Sequence, residues 1–263
     1  TAAQQKAIAR LFPTFASYEY WGCGASLLHT DGKKDLGDDG SSRYFLLAGG
    51  QHGPAGFPPR HTPATAHPPN PNEYRWAVRA LLPALTKWVE EGVAPPASQV
   101  PRWSDGSMVA WDKLQFPALP GVRQSGHPAI PKNTSPAQLG VPAVDSDGNE
   151  RAGIRLPEIA EPLATYTGWN PRPENPAWLE NSTGAYLAFP WTAEDRKESG
   201  DPRRSVLERY RTRQDYLARV RDYAISLARS GYLLEQDIPA IVDQASRHWD
   251  YRMPPLQSQA GIR

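Results

Sequence analysis

Residues Arg43 to Pro54 read RYFLLAGGQHGP, a short apolar run that stops at two glycines and delivers His52 into a loop. Aromatic and branched side chains from Arg43 to Ala48 are bounded by Ser41-Ser42 before and Gly49-Gly50 after, the pattern of a buried strand. The run reads as a central strand. Glycines after such a strand allow backbone angles closed to other residues, so the next side chains can be aimed across the sheet edge. His52 is thereby presented rather than packed. A histidine so placed can act as a general base, because imidazole titrates near neutrality and either ring nitrogen can carry the proton. A lone loop histidine can equally be a solvated or hydrogen-bonded side chain.

The segment upstream bears on that choice. Phe12 to Ser17, FPTFAS, reads as another strand, followed at once by Tyr18-Glu19-Tyr20-Trp21 and the glycine-punctuated GCGASLLH. A glutamate among two tyrosines and a tryptophan is shielded, and a shielded carboxylate requires a charged or hydrogen-bonding partner. Arg43 or Arg10 would make that partnership structural, and a histidine would make it catalytic. Both Glu19 and His52 lie just past predicted strand ends, which is where an open parallel sheet places its chemistry.

Composition removes several functional classes. With 29 basic and 28 acidic side chains, the net charge of +1 gives no electrostatic case for nucleic acid or an anionic membrane as partner. The 28 prolines among 263 residues predict long ordered loops and short elements. Cys23 is the sole cysteine, so no internal disulfide or thiolate-rich metal site is available, and the compartment stays open, an exported location included. No apolar run is long enough to span a bilayer. His52, His61 and His67 fall within sixteen residues, but no carboxylate or cysteine accompanies them at ligand spacing, and neither a metal nor a cofactor is expected.

The segments FASYEYW (15–21), GASLLHTDG (24–32) and RYFLLAGGQHGP (43–54) carry a resemblance that extends through VPAVDSDGNERAGIRLPEIAEPLATYTGWNPR (141–172) and GDPRRSVLERYRTRQDYLARV (200–220). They resemble the C-terminal portion of the large bacterial alpha/beta hydrolase domain-containing proteins, over nearly the whole chain. Gly50 departs from the family, where a threonine is common; that bears on the loop and not on the histidine. The resemblance implies an α/β fold in which residues 1–92 supply the last sheet strands and helix of an α/β-hydrolase core. Residues 93–263 then form an appended loop-rich, mostly helical domain with short β-hairpins. It also implies that Glu19 is the triad acid and His52 the triad base of a serine hydrolase acting on carboxylic esters.

No G-x-S-x-G occurs, and Ser17, Ser26 and Ser125 lack the flanking glycines of a nucleophile elbow. The expected partners are therefore an N-terminal portion of the same protein bearing the serine, and a small-molecule ester. The reading from another class is a non-catalytic module that binds a glycan or protein through its aromatic-rich second half. Thr1 as an N-terminal nucleophile ranks last, since it leads no strand.

The remaining elements are read from periodicity and turn residues. Gln4 to Leu11 reads as the end of a helix. Asn72 is expected to cap a helix from Glu73 to Glu91 with Trp76, Ala77, Ala80, Leu81, Leu85, Trp88 and Val89 on one face, closed by Gly92. Asp105-Gly106 and Asp147-Gly148 each predict a hairpin turn, and DSDGNE (145–150) lacks the spacing of a calcium loop. Tyr166, Trp169, Trp178, Tyr186, Phe189 and Trp191 are expected to fill core rather than line a pocket. One helix from Ser205 to Ser230 and another from Glu235 to Trp249 complete the reading, with the tail to Arg263 a loose end.

Overall fold

The strand predicted from RYFLLA forms as β2 (Phe45–Leu47), and it is buried on both faces, which is why its apolar run does not alternate. In this computed structural model, which describes residues 9–37, 39–124, 128, 135, 138–175, 179–180 and 182–253, β2 lies parallel to β1 (Thr14–Ala16). On its other edge Phe45 bridges Gln99 and Leu47 bridges Ile154, both parallel. β2 thus lies between β1 on one edge and the segments at Gln99 and Ile154 on the other. Two antiparallel pairs sit apart from it: β3 (Met108–Ala110) with β4 (Gly140–Pro142), and β5 (Ala164–Tyr166) with β6 (Tyr186–Ala188).

The helices are α1 (Ser17–Gly22), α2 (Arg75–Glu91), α3 (Pro157–Ala160), α4 (Ala193–Ser199), α5 (Val206–Arg209), α6 (Arg213–Arg229) and α7 (Ile238–Arg252). One face of β2, Phe45 and Leu47, packs with Ala77 and Leu81 of α2 and with Val220 and Ala224 of α6, in a cluster that reaches Ile241, Ala245 and Trp249 of α7. The opposite face, Leu46, joins Phe15, Tyr20, Trp21, Val141 and Trp169. The first cluster draws on residues both before and after position 92.

Several local expectations are corrected. The strand read over Phe12 to Ser17 forms only as β1, and Ser17 to Trp21 lie within α1, where Glu19 in the first turn accepts from the Ala16 amide at 2.7 Å and satisfies one of the orphan donors of the helix start. Ala9 and Arg10 are not helical and Leu11 bridges Ser42, so the end of the predicted N-terminal helix does not form as read; the rest of it, with Thr1, falls in residues 1–8, outside the described ones. Asn72 does not cap α2; Tyr74 occupies that position, and the Asn72 amide donates instead to the Ala48 carbonyl at 2.9 Å. The face of α2 forms as read through Ala77, Ala80, Leu81 and Trp88, while Val89 is exposed.

The turn at Asp105-Gly106 is present, with Gly106 at φ +70° and the Met108 amide donating back to the Arg102 carbonyl at 2.9 Å, but the strand partner of β3 beyond it is β4. At Asp147-Gly148 a hairpin does form, with Val144 bridging Glu150. The single helix from Ser205 to Ser230 is two: Tyr210 turns extended at φ −123°, ψ 123°, and Thr212 restarts the helix by accepting from the Asp215 amide. Of the described aromatics, Tyr166, Trp169, Tyr186 and Phe189 are buried and Trp191 is half-buried against the core; Trp178 and the tail from 254 lie outside the described residues.

Candidate active site

Glu19 and His52 are brought together by adjacent parallel strands. β1 runs directly into α1, which carries Glu19, and β2 runs into the Gly49-Gly50 turn, which carries His52. His52 Nδ1 lies 2.6 Å from Glu19 Oε1. The other oxygen, Oε2, accepts from the Ala16 amide, so the carboxylate cannot swing away from the ring without giving up a backbone bond. An ionised carboxylate only accepts, so against an ionised Glu19 it is Nδ1 that donates, and Nε2 faces away from the carboxylate. Among the described residues no hydrogen bond reaches Nε2, and the His52 side chain is 63% exposed against 19% for Glu19. The Tyr18 ring meets the imidazole edge to face at 5.9 Å. Arg10 and Arg43, the structural partners considered for Glu19, instead lay their guanidinium groups over Trp88.

The turn beneath His52 is fixed from several directions. Gly49 has φ +64°, and a Cβ there would stand 2.5 Å from Ile159 Cδ1, so any other residue would be strained and would have to displace the Ile159 side chain. Asn70 donates to the Gly49 carbonyl at 2.5 Å and to the Thr167 carbonyl at 2.9 Å. The Gln51 side-chain oxygen accepts from the Asn70 and Gly184 amides, both at 3.0 Å. Tyr74 donates its hydroxyl to the His52 carbonyl at 2.6 Å; burial, helped by Glu19 and Glu73, lifts that phenol to about 12 and keeps it a donor. Finally, the His52 amide donates to Ser182, itself held at φ +64°.

Beneath both segments lies Glu150, 4% exposed, whose carboxylate accepts from Ser17 Oγ at 2.5 Å and from the Gly49 amide at 2.7 Å. Burial raises it to about 7, partly opposed by those two hydrogen bonds and by Arg155. Sequence reading missed Glu150, Asn70 and Gln51. In the sequence Glu150 is only the end of a turn, and its partners lie more than a hundred residues away.

The serines considered as nucleophiles are engaged elsewhere. Ser17 is the buried donor to Glu150, and Ser26 is buried and accepts from the Gly140 amide at 3.2 Å; Ser125 lies outside the described residues. His29, from the ASLLH segment, is a core residue: its Nε2 lies 2.8 Å from the Tyr20 hydroxyl, and burial pushes it down to about 4. His61 is exposed and His67 half-buried, and among the described residues no three His, Cys, Asp or Glu side chains stand together as a metal site. Two surface grooves of about 430 and 420 Å³ are lined around His29, Arg43 and Arg102, and around Tyr186, Arg203 and Tyr251; neither has Glu19 or His52 in its wall. No described helix is long and apolar enough to cross a membrane.

A family model described as an alpha/beta hydrolase domain matches residues 26–243, most of the chain. The chain belongs to this alpha/beta hydrolase domain family, a hydrolase class, and its mixed helices and small sheets agree with that class. His52 lies inside the matched span and Glu19 seven residues before it. No curated protein and no solved structure matches the chain.

Proposed function

We propose that this chain supplies the acid and base of a serine hydrolase acting on carboxylic esters, with the nucleophilic serine contributed by polypeptide outside it, an N-terminal portion of the same protein. The observation that carries the reading is the 2.6 Å contact between Glu19 and His52 Nδ1 at the ends of adjacent parallel strands, in a chain of the alpha/beta hydrolase domain family. Glu19 holds the imidazole in the tautomer whose Nε2 is a base. His52 Nε2 takes the proton of the serine hydroxyl as it attacks the ester carbonyl, then gives it to the departing alcohol. Water, deprotonated by the same nitrogen, releases the acid. The negative charge of each tetrahedral intermediate is met by backbone amides near the serine. Ser17 and Ser26 do not compete for this role, since both are buried, Ser17 donating to Glu150 and Ser26 accepting from the Gly140 amide.

The test is turnover of a simple activated ester by the full-length protein and its His52→Ala variant. A loss of about 10³-fold or more in kcat with an unchanged melting curve is expected. Retention of turnover in a folded variant would overturn the proposal.

A further inference from the structure

We infer that Glu150 is a positioning residue, a buried carboxylate clasp that holds the helix bearing Glu19 and the loop bearing His52 at the separation their hydrogen bond needs. The inference rests on the reading of those two side chains as acid and base, and goes beyond it to what fixes their geometry.

Ser17 is the first residue of α1, two before Glu19, and Gly49 stands three before His52. One planar group therefore touches both chain segments: Oε1 takes the Ser17 hydroxyl and Oε2 the Gly49 amide. Each donor has a geometric reason to point there. The left-handed backbone of Gly49 turns its N–H out of the strand ladder, and the acceptor it meets is Glu150. Gly168 packs so close that a Cβ on it would lie 2.3 Å from Ser17 Oγ, leaving that hydroxyl no room on its far side. The clasp is itself anchored. Val144 bridges Glu150 across the DSDGN turn, and Asn149 next to it exchanges hydrogen bonds with Ala164 and Tyr166 of β5.

A lone buried carboxylate is expensive, and packing alone would be better served by an apolar side chain. Two converging donors, one on each catalytic segment, give the carboxylate a use that an apolar side chain could not fill. A second tie runs directly between the segments, from the Tyr18 amide to the Gly50 carbonyl at 3.1 Å, so the clasp acts on elements already in register. Glutamine has the same shape and one oxygen for Gly49, and its NH₂ can donate to Ser17 Oγ, so it preserves both contacts.

The experiment reads the His52 Nδ1 proton by NMR of the ¹⁵N-histidine-labelled chain at neutral pH, comparing its low-field shift and its exchange with water in four variants. Glu150→Ala and Ser17→Ala are expected to speed exchange of that proton by about tenfold and about threefold, on the scale of one lost hydrogen bond. Glu150→Gln is expected to keep it within about twofold. Should Glu150→Ala not fold, Ser17→Ala decides the matter. A folded Glu150→Ala or Ser17→Ala protein with the native signal overturns the clasp. Glu19→Gln distinguishes failure of the clasp from failure of the Glu19–His52 pair. If it leaves the signal unchanged, the Glu19–His52 pair itself fails, whereas if it abolishes the signal and Glu150→Ala does not, the clasp alone fails.

Discussion

Gly49 shows how little freedom the His52 turn has. Its φ of +64° would cost an L side chain roughly 1–2 kcal/mol, and Ile159 Cδ1 stands 2.5 Å from where a Cβ would go. Gly49→Ala should therefore destabilise the fold by about 2–4 kcal/mol, read from urea unfolding, and a loss below about 0.5 kcal/mol would contradict the packing described. Gly50 is less exacting: its φ is not positive, but a Cβ would come within 2.9 Å of the Tyr74 ring and 3.1 Å of Ala16. A threonine there would shift the ring whose hydroxyl holds the His52 carbonyl. At this scale the sequence was legible where residue type alone constrained the chain, as in the double glycine, the histidine after it and the glutamate among aromatics. Glu150, Asn70 and Gln51 stayed hidden because each acts through partners joined only by the fold.

Between Tyr210 and Thr212 a stretch that reads as one helix is interrupted. Leu207, Tyr210, Leu217, Val220, Ala224 and Leu227 keep a helical spacing across the gap, which is why periodicity alone joins them, although Leu207 is exposed and Val206 is buried in its place. Thr212 marks the break with a cap, its hydroxyl accepting from the Asp215 amide at 3.0 Å. Thr212→Ala should cost about 1 kcal/mol by the same denaturation measurement, and no loss would mean that the restart of α6 does not depend on this cap. Other elements diverged from expectation for related reasons. β3 follows a correct turn yet pairs with β4, because strand pairing is decided by long-range packing and not by the turn alone. Asn72, a good cap by type, is drawn to the Ala48 carbonyl at the end of β2.

Across the whole molecule the apolar core joins β2 to helices far along the chain, and buried titratable groups lie within it. Glu158 is buried, accepts from the Gln244 amide at 2.9 Å, and is lifted by burial from 4.5 to about 7. A carboxyl whose folded pKa is raised contributes stability that is full below about 4.5 and is lost as pH rises through about 7. Glu158→Gln removes that loss. Its stability relative to the native protein should climb from pH 4.5 to above pH 7, by up to roughly 3 kcal/mol, and a flat difference would contradict the buried carboxyl. Fold class was legible from the strand-glycine-histidine pattern and the family resemblance. The tertiary pairing was not, since short strands and proline-rich connections leave few local signals of which segments meet.

The most direct measurement is a double-mutant cycle on ester turnover by the full-length protein, with Glu19→Gln, His52→Ala and both together. If the carboxylate acts only through the imidazole, the double variant should be no slower than His52→Ala alone, although each single change lowers kcat strongly. Losses that multiply in the double variant would show the two side chains acting independently and contradict the account.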